Sequence, residues 1–274
     1  MKYLKLFEKF EDWNTVSADD LVSAQELHEI GVVSDKELRE IKRLMRAEQD
    51  IINYTGVGGL DLADSTLLKS LPAGLAVGGD LNLNWCYSLE SLPDELTVSG
   101  DLSLYGCTSL TSLPAGLKVS GDINLQGCTG LMSLPHGLTV GRSLHLNGCT
   151  SLTSLPAGLK VSGNISLTNC ISLESLPAGL KVGNHLSLTN CISLESLPAG
   201  LTVVKNLSLY DCRSLKSLPA GLKVGGDLYL THCTSLESLP ADLEVGGDLS
   251  LLGCTSLESL PQDLKVGGKI RRDK

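Results

Sequence analysis

Proline and cysteine fall on a single period in this chain, and that period constrains the fold more than any other feature. All ten prolines lie 21 residues apart, from Pro72, Pro93 and Pro114 through to Pro261. All nine cysteines do the same, from Cys86, Cys107 and Cys128 through to Cys254. The unit reads roughly GDLxLxxCxSLxSLPxGLxV. In one copy its apolar positions are Leu102, Leu104, Cys107, Leu110, Leu113, Leu117 and Val119. Leu102 and Leu104 are two apart, so both face one side of a short strand. Leu117 and Val119 show the same period and mark a second extended segment. Seven inward residues in 21 describe one coil around a narrow core. A single coil cannot bury its own apolar side, so the units must stack. Stacked coils pair through parallel strands about 4.8 Å apart.

The array starts at about residue 59. Leu60, Leu62, Leu68, Leu71 and Pro72 fit the register, with Ser65 at the cysteine position. At the other end Ile270 fits a core position, but Arg272 stands where a leucine belongs. The basic tail KIRRDK either shields the last edge or gives way to a partner or a longer parent. Aromatics are only 4% of the chain, and both phenylalanines (Phe7, Phe10) precede the array, so the core is aliphatic.

The run DLSLYGCTSL (Asp101 to Leu110) resembles the LxxLxLxxN/CxL segment of the leucine-rich repeat family. The likeness covers about residues 59–270. The unit is short for that family and leaves no room for a convex-side helix. It looks like bacterial and phage-encoded variants with LPxGLxV runs. The resemblance implies an α+β fold: a right-handed leucine-rich repeat solenoid of about ten 21-residue coils, with a parallel β-sheet on a shallow concave side. It also implies protein recognition. Some bacterial effectors join a helical N-terminus to such repeats, often with a ubiquitin ligase domain. No cysteine lies outside the ladder, so ligase activity is not expected.

Residues 1–55 carry no repeat and are expected to form a helical N-terminal cap on a solenoid spanning 56–274. Three helices are expected. Leu4, Phe7 and Trp13 lie near one helical face. A second helix starts near Ser17 and stops at Gly31. Ser34 with Glu37 forms a capping box before the third, whose apolar stripe is Leu38, Ile41, Met45 and Ile52.

The net charge of −9 argues against nucleic acid and against an anionic membrane surface. No stretch is long and apolar enough to span a bilayer. The start MKYLKLFEKFEDW lacks a signal-peptide apolar block, so a cytoplasmic location is expected, or delivery into a host cell. The cysteine ladder reads as buried, reduced thiols facing inward. The serine five after each cysteine reads as a turn hydroxyl bonded to backbone. The glycine two after most prolines needs positive φ, with Asp242 and Asp263 tolerated in its place. Glu95 is awkward there. The GGD runs lack the nine-residue spacing of calcium-binding β-roll turns. No catalytic motif is present, so neither an enzyme nor a cofactor or metal is expected.

Variation among the units is concentrated at the outward strand positions. Tyr, His, Asn and Arg on a rigid sheet suit recognition of a protein partner, because ordered aromatics lose little entropy on binding. The candidate binding residues are Trp85, Tyr87, Tyr105 and His145, then Tyr210, Asp211, Arg213, Tyr229 and His232. An assembly component, self-associating through its C-terminal coil, is the alternative. The hydroxyl pairs Ser166/Thr168 and Ser187/Thr189 raise a third idea, a binder of a regular surface lattice.

Overall fold

A computed structural model of the chain describes residues 25, 26, 28, 29, 31 and 33–273. It is a parallel β-solenoid of about ten turns. An 11-stranded sheet runs from Leu60–Asp61 to Ile270–Arg271, and a 10-stranded sheet runs from Ala76–Val77 to Lys265–Val266. We call these the first and second sheets. Each strand pairs with its equivalent one repeat away, as in Leu102↔Ile123 and Val98↔Val119. The Leu-x-Leu segments form the one parallel sheet expected, and the second extended segment of each coil builds a further sheet beyond it. A third line of contact appears as isolated bridges, Ser154↔Ser175, Ser196↔Ser217 and Ser217↔Ser238. There the repeated serine joins coils through its backbone, while its side chain faces outward.

The seven apolar positions of each inner coil are buried in one continuous cluster. The cysteines join it and are all free. Each thiol donates to a leucine carbonyl of the preceding coil: Cys170 Sγ reaches Leu146 O at 3.1 Å. That carbonyl already accepts the Cys149 N–H at 3.1 Å, so it makes a bond within its own coil and a bond to the next. Burial pushes the Cys170 thiol up to about 12, which keeps it protonated as a donor. The thiols are thus inter-coil links, and their reactivity is suppressed.

Two positions per coil turn the chain through left-handed backbone. Two residues after proline, Gly116, Gly137 and Gly158 have φ of 82, 72 and 74°, and Glu95 takes 61° in the same role. Asp242 and Asp263, expected to replace glycine in that conformation, do not adopt it. A Cβ disfavours left-handed backbone, and these two turns are made with negative φ instead.

A ladder of side chains closes the corner before the first sheet. Asp80 Oδ1 accepts the Asp101 N–H at 2.8 Å, Asp101 accepts that of Asp122 at 2.7 Å, and Asp122 accepts that of Ser143 at 2.7 Å. Ser143, Asn164, His185 and Asn206 continue the ladder, and Asp227 and Asp248 finish it at 2.8 Å each. The aspartates of the GGD runs therefore act as acceptors between coils.

Helix α1 (Asp35–Ile52) begins with the expected capping box, Ser34 and Glu37 bonding each other's backbone N–H groups. Gly31 turns at φ 74° and donates to His28 O at 2.9 Å. Leu44, Ala47 and Ile51 share the buried cluster of Leu60, Leu62 and Leu68, so the helix covers the first coil. The expected stripe needs correction at its end: Ile51 is buried and Ile52 is 70% exposed. Ile51 is seven residues after Leu44, two helical turns, which keeps it on the core side. The stripe of Leu4, Phe7 and Trp13 and the helix start at Ser17 lie outside the described residues.

The last coil is only partly covered. Leu260, Leu264 and Val266 are half-buried and Ile270 is 45% exposed. The basic tail shields part of that edge, with the Arg272 guanidinium donating to the Leu257 carbonyl and, at 3.0 Å, to that of Glu258. Among the described residues no helix is long and apolar enough to cross a membrane.

Candidate functional site

The variable residues expected on the strands are spread over the outward side of the first sheet and the turns that follow its two-residue strands, and the coil geometry places them by column. The column just before cysteine is left-handed in coil after coil. Gly106, Gly127, Gly148 and Gly253 occupy it at no steric cost. Asp64, Asn169, Asn190 and Asp211 also occupy it, types that tolerate such backbone. Trp85 (φ 64°) and His232 (φ 62°) are there as well. Histidine, like Asn and Asp, is enriched in such backbone, whereas a residue as bulky as tryptophan is an outlier that its surroundings must enforce. Sequence reading missed this strain. The signal was present, since these residues interrupt a run of glycines.

Both rings lie over a glycine of the following coil. A Cβ built at Gly106 would lie 2.7 Å from Trp85 Cε3, and one built at Gly253 would collide with the His232 ring. Bare backbone at the next coil is what leaves room for each ring.

Apart from His145 the candidates fall in two patches, Trp85, Tyr87 and Tyr105 near the start of the array and Tyr210, Asp211, Arg213, Tyr229 and His232 further along, and the rings of the first patch meet. Trp85 packs edge-to-face on Tyr105 with ring centres 4.6 Å apart, and Tyr87 lies 5.9 Å from Trp85. All three remain more than a third exposed. Beside them Asn84 Oδ1 accepts the Tyr105 N–H at 2.8 Å, and Asn124 Oδ1 accepts that of Gln126 at 3.1 Å. The amides thus hold the backbone beneath the rings with their carbonyl ends.

The second patch forms two groups. Asp211 Oδ1 accepts from Arg213 Nε and Nη2 at 3.2 and 3.1 Å and lies 3.6 Å from His232 Nδ1. Tyr210 is 5.3 Å from His232, ring to ring. Tyr229 instead donates its hydroxyl to Asp227 Oδ2 at 2.8 Å. That bond raises the Tyr229 pKa, and the Asp248 N–H followed by the Tyr229 hydroxyl lowers that of Asp227. His145 is half-buried and its strand neighbours are Asn124 and Ser166, so it stands apart from both patches.

Between the patches, and again beside the second, small hydroxyls on this face bond to one another. Thr168 pairs with Ser187 at 3.0 Å, Thr189 with Ser208 at 3.0 Å, and Thr231 with Ser250 at 2.9 Å. Among the described residues no group of three or more His, Cys, Asp and Glu is placed to hold a metal ion. Compared with protein-family models, with curated proteins and with solved structures, the chain finds no match.

Proposed function

We propose that this chain is a non-enzymatic recognition module of the leucine-rich repeat type, with a right-handed coil, that presents the outward side of its first sheet to a protein partner. The observation that carries this reading is Trp85. It is held in strained backbone, seated on Gly106, packed against Tyr87 and Tyr105, and still exposed. A fold that only needed to close this turn would use glycine, as the next three coils do. Pre-ordered aromatics of this kind serve as anchors in interfaces.

The repeat itself supplies the control variants. Trp85→Gly with Tyr87→Thr and Tyr105→Thr, and separately Tyr210→Thr with Arg213→Thr and Tyr229→Ser, convert each patch to residues that other coils carry in the same columns. A protein captured from lysate by the wild type and lost by either folded variant supports the reading. Equal capture by all three chains moves recognition off this face.

The alternative, assembly through the last coil, is favoured by the exposed Ile270 and by the strands Lys265–Val266 and Ile270–Arg271, which end their sheets. It predicts self-association that rises with concentration and is lost in Ile270→Lys.

A further inference from the structure

The second sheet carries a feature that recognition by the first sheet leaves unused. Its outward column reads Lys118, Thr139, Lys160, Lys181, Thr202, Lys223, Glu244, Lys265 over eight successive strands. The register places each beside the next: Lys118↔Thr139, Thr139↔Lys160, Lys181↔Thr202, Thr202↔Lys223 and Glu244↔Lys265. Val161 pairs with Val182, so Lys160 and Lys181 are direct neighbours with no acid between them. Like charges side by side in a ladder oppose each other, and a purely structural sheet gains nothing from them. Glu244 answers Lys223 and Lys265 at 2.9 Å each, while Lys118, Lys160 and Lys181 make no ion pair among the described residues.

A second observation points the same way. The acidic corner ladder becomes neutral over these coils, running Ser143, Asn164, His185 and Asn206 in place of aspartate, and Arg142 and Lys205 replace glycine beside it. Between residues 138 and 206 four basic residues (Arg142, Lys160, Lys181, Lys205) face two acids (Glu174, Glu195), a net of +2 in a chain of −9. Hollows open along this sheet beside Lys118 and between Lys160 and Lys181.

We infer that the second sheet is a docking track for a linear acidic polysaccharide that lies across the strands, its carboxylates meeting Lys118, Lys160 and Lys181. The lysines stand one or two coils apart, roughly 5 or 10 Å at the usual strand spacing. One extended pyranose unit is close to one such step. Threonine between the lysines leaves the surface flat and adds hydroxyls. The column has no aromatic side chain on which bases could stack, which disfavours single-stranded nucleic acid.

The test uses the full chain and polygalacturonate, with neutral dextran and a single-stranded oligonucleotide as comparison probes. Lys160→Thr with Lys181→Thr copies the neighbouring rungs and relieves like-charge repulsion, so it folds at least as well as the wild type. Lys36→Ala with Lys42→Ala on α1 removes equal charge elsewhere. Binding of the polyuronate but not of dextran, falling with salt, at least tenfold weaker in the sheet variant and unchanged in the helix variant, is the expected result. No polyuronate binding at low salt, equal loss in both variants, or tighter binding of the oligonucleotide overturns the inference.

Discussion

Gly106 and Gly148 occupy the same position in two coils, and alanine at each separates backbone strain from crowding by a side chain. Both are left-handed at φ 74°. At Gly148 a new Cβ meets only Gly127 N at 3.8 Å and Cα at 3.9 Å, which is ordinary contact. The conformation alone costs about 1–2 kcal/mol. Reduced freedom of the unfolded chain offsets up to about 1 kcal/mol of this, so Gly148→Ala should destabilise by about 1 kcal/mol. At Gly106 the same Cβ would lie 2.7 and 2.9 Å from Cε3 and Cζ3 of Trp85, and the indole must move. Overpacking of this kind adds about 1–3 kcal/mol, so Gly106→Ala should cost roughly 2–4 kcal/mol. In a Trp85→Gly background the Gly106→Ala cost should fall back to that at Gly148, leaving a coupling of about 1–3 kcal/mol. Urea unfolding followed by both circular dichroism and hydrogen exchange is the suitable assay, because coils of an array can open separately. Equal costs at the two glycines, or a Gly106→Ala cost indifferent to Trp85, would refute the seating of Trp85 on the next coil.

The thiols predict an alkaline limit. Burial pushes Cys86, Cys128, Cys170 and Cys212 up to about 12, so each holds its proton more tightly folded than unfolded. Their contribution is complete below about pH 8.5 and is lost as pH rises through 9 towards 12, by up to about 1.4 kcal/mol per thiol per pH unit. Melting temperatures across that range should fall steeply, and a thiol reagent at pH 8 should modify all nine cysteines only after unfolding. Leu167→Ala, at a fully buried position in mid-array, should cost about 2–5 kcal/mol, and Ile270→Ala at the open end under about 1 kcal/mol, compared by urea midpoint. Glu244 is held down at about 2, first by its hydrogen bonds to Lys223 and Lys265, but it lies on the surface. Glu244→Gln should leave the melting temperature nearly unchanged and tighten polygalacturonate binding severalfold by freeing both lysines, read by titration.

Much of the fold was legible because every constraint repeats. Leu-x-Leu, cysteine and proline at one period set the core, the coil and the in-register pairing of Leu102 with Ile123. The capping box at Ser34 was legible because it is a local motif. Ile51 and Ile52 were harder, because adjacent apolar residues leave helical phase ambiguous by one position until a partner surface is known. Leu44, also buried against the first coil, was missed from the stripe for the same reason. The aspartate ladder was hidden because its bonds run between residues 21 apart, and GGD looks alike whether it binds an ion or an N–H. The lysine column was readable by aligning the units, yet total charge masked it. Local net charge carries the information that the chain's −9 obscures. Trp85 and Tyr105 were identified as candidates because they break a pattern. That Trp85 lies on Gly106 came only from the backbone geometry of successive coils.

Oxidative footprinting of the complex with a captured partner tests the recognition face most directly. Tyr229 on a first-sheet strand and Trp85, Tyr105 and Tyr210 in the turns that follow such strands are all partly exposed, and Met132, 57% exposed, lies away from both sheets and these turns. The predicted result is protection of at least one first-sheet aromatic cluster on binding, with Met132 oxidised as in the free chain. Unchanged oxidation of all four aromatics, with protection at Met132 or along α1, would contradict it.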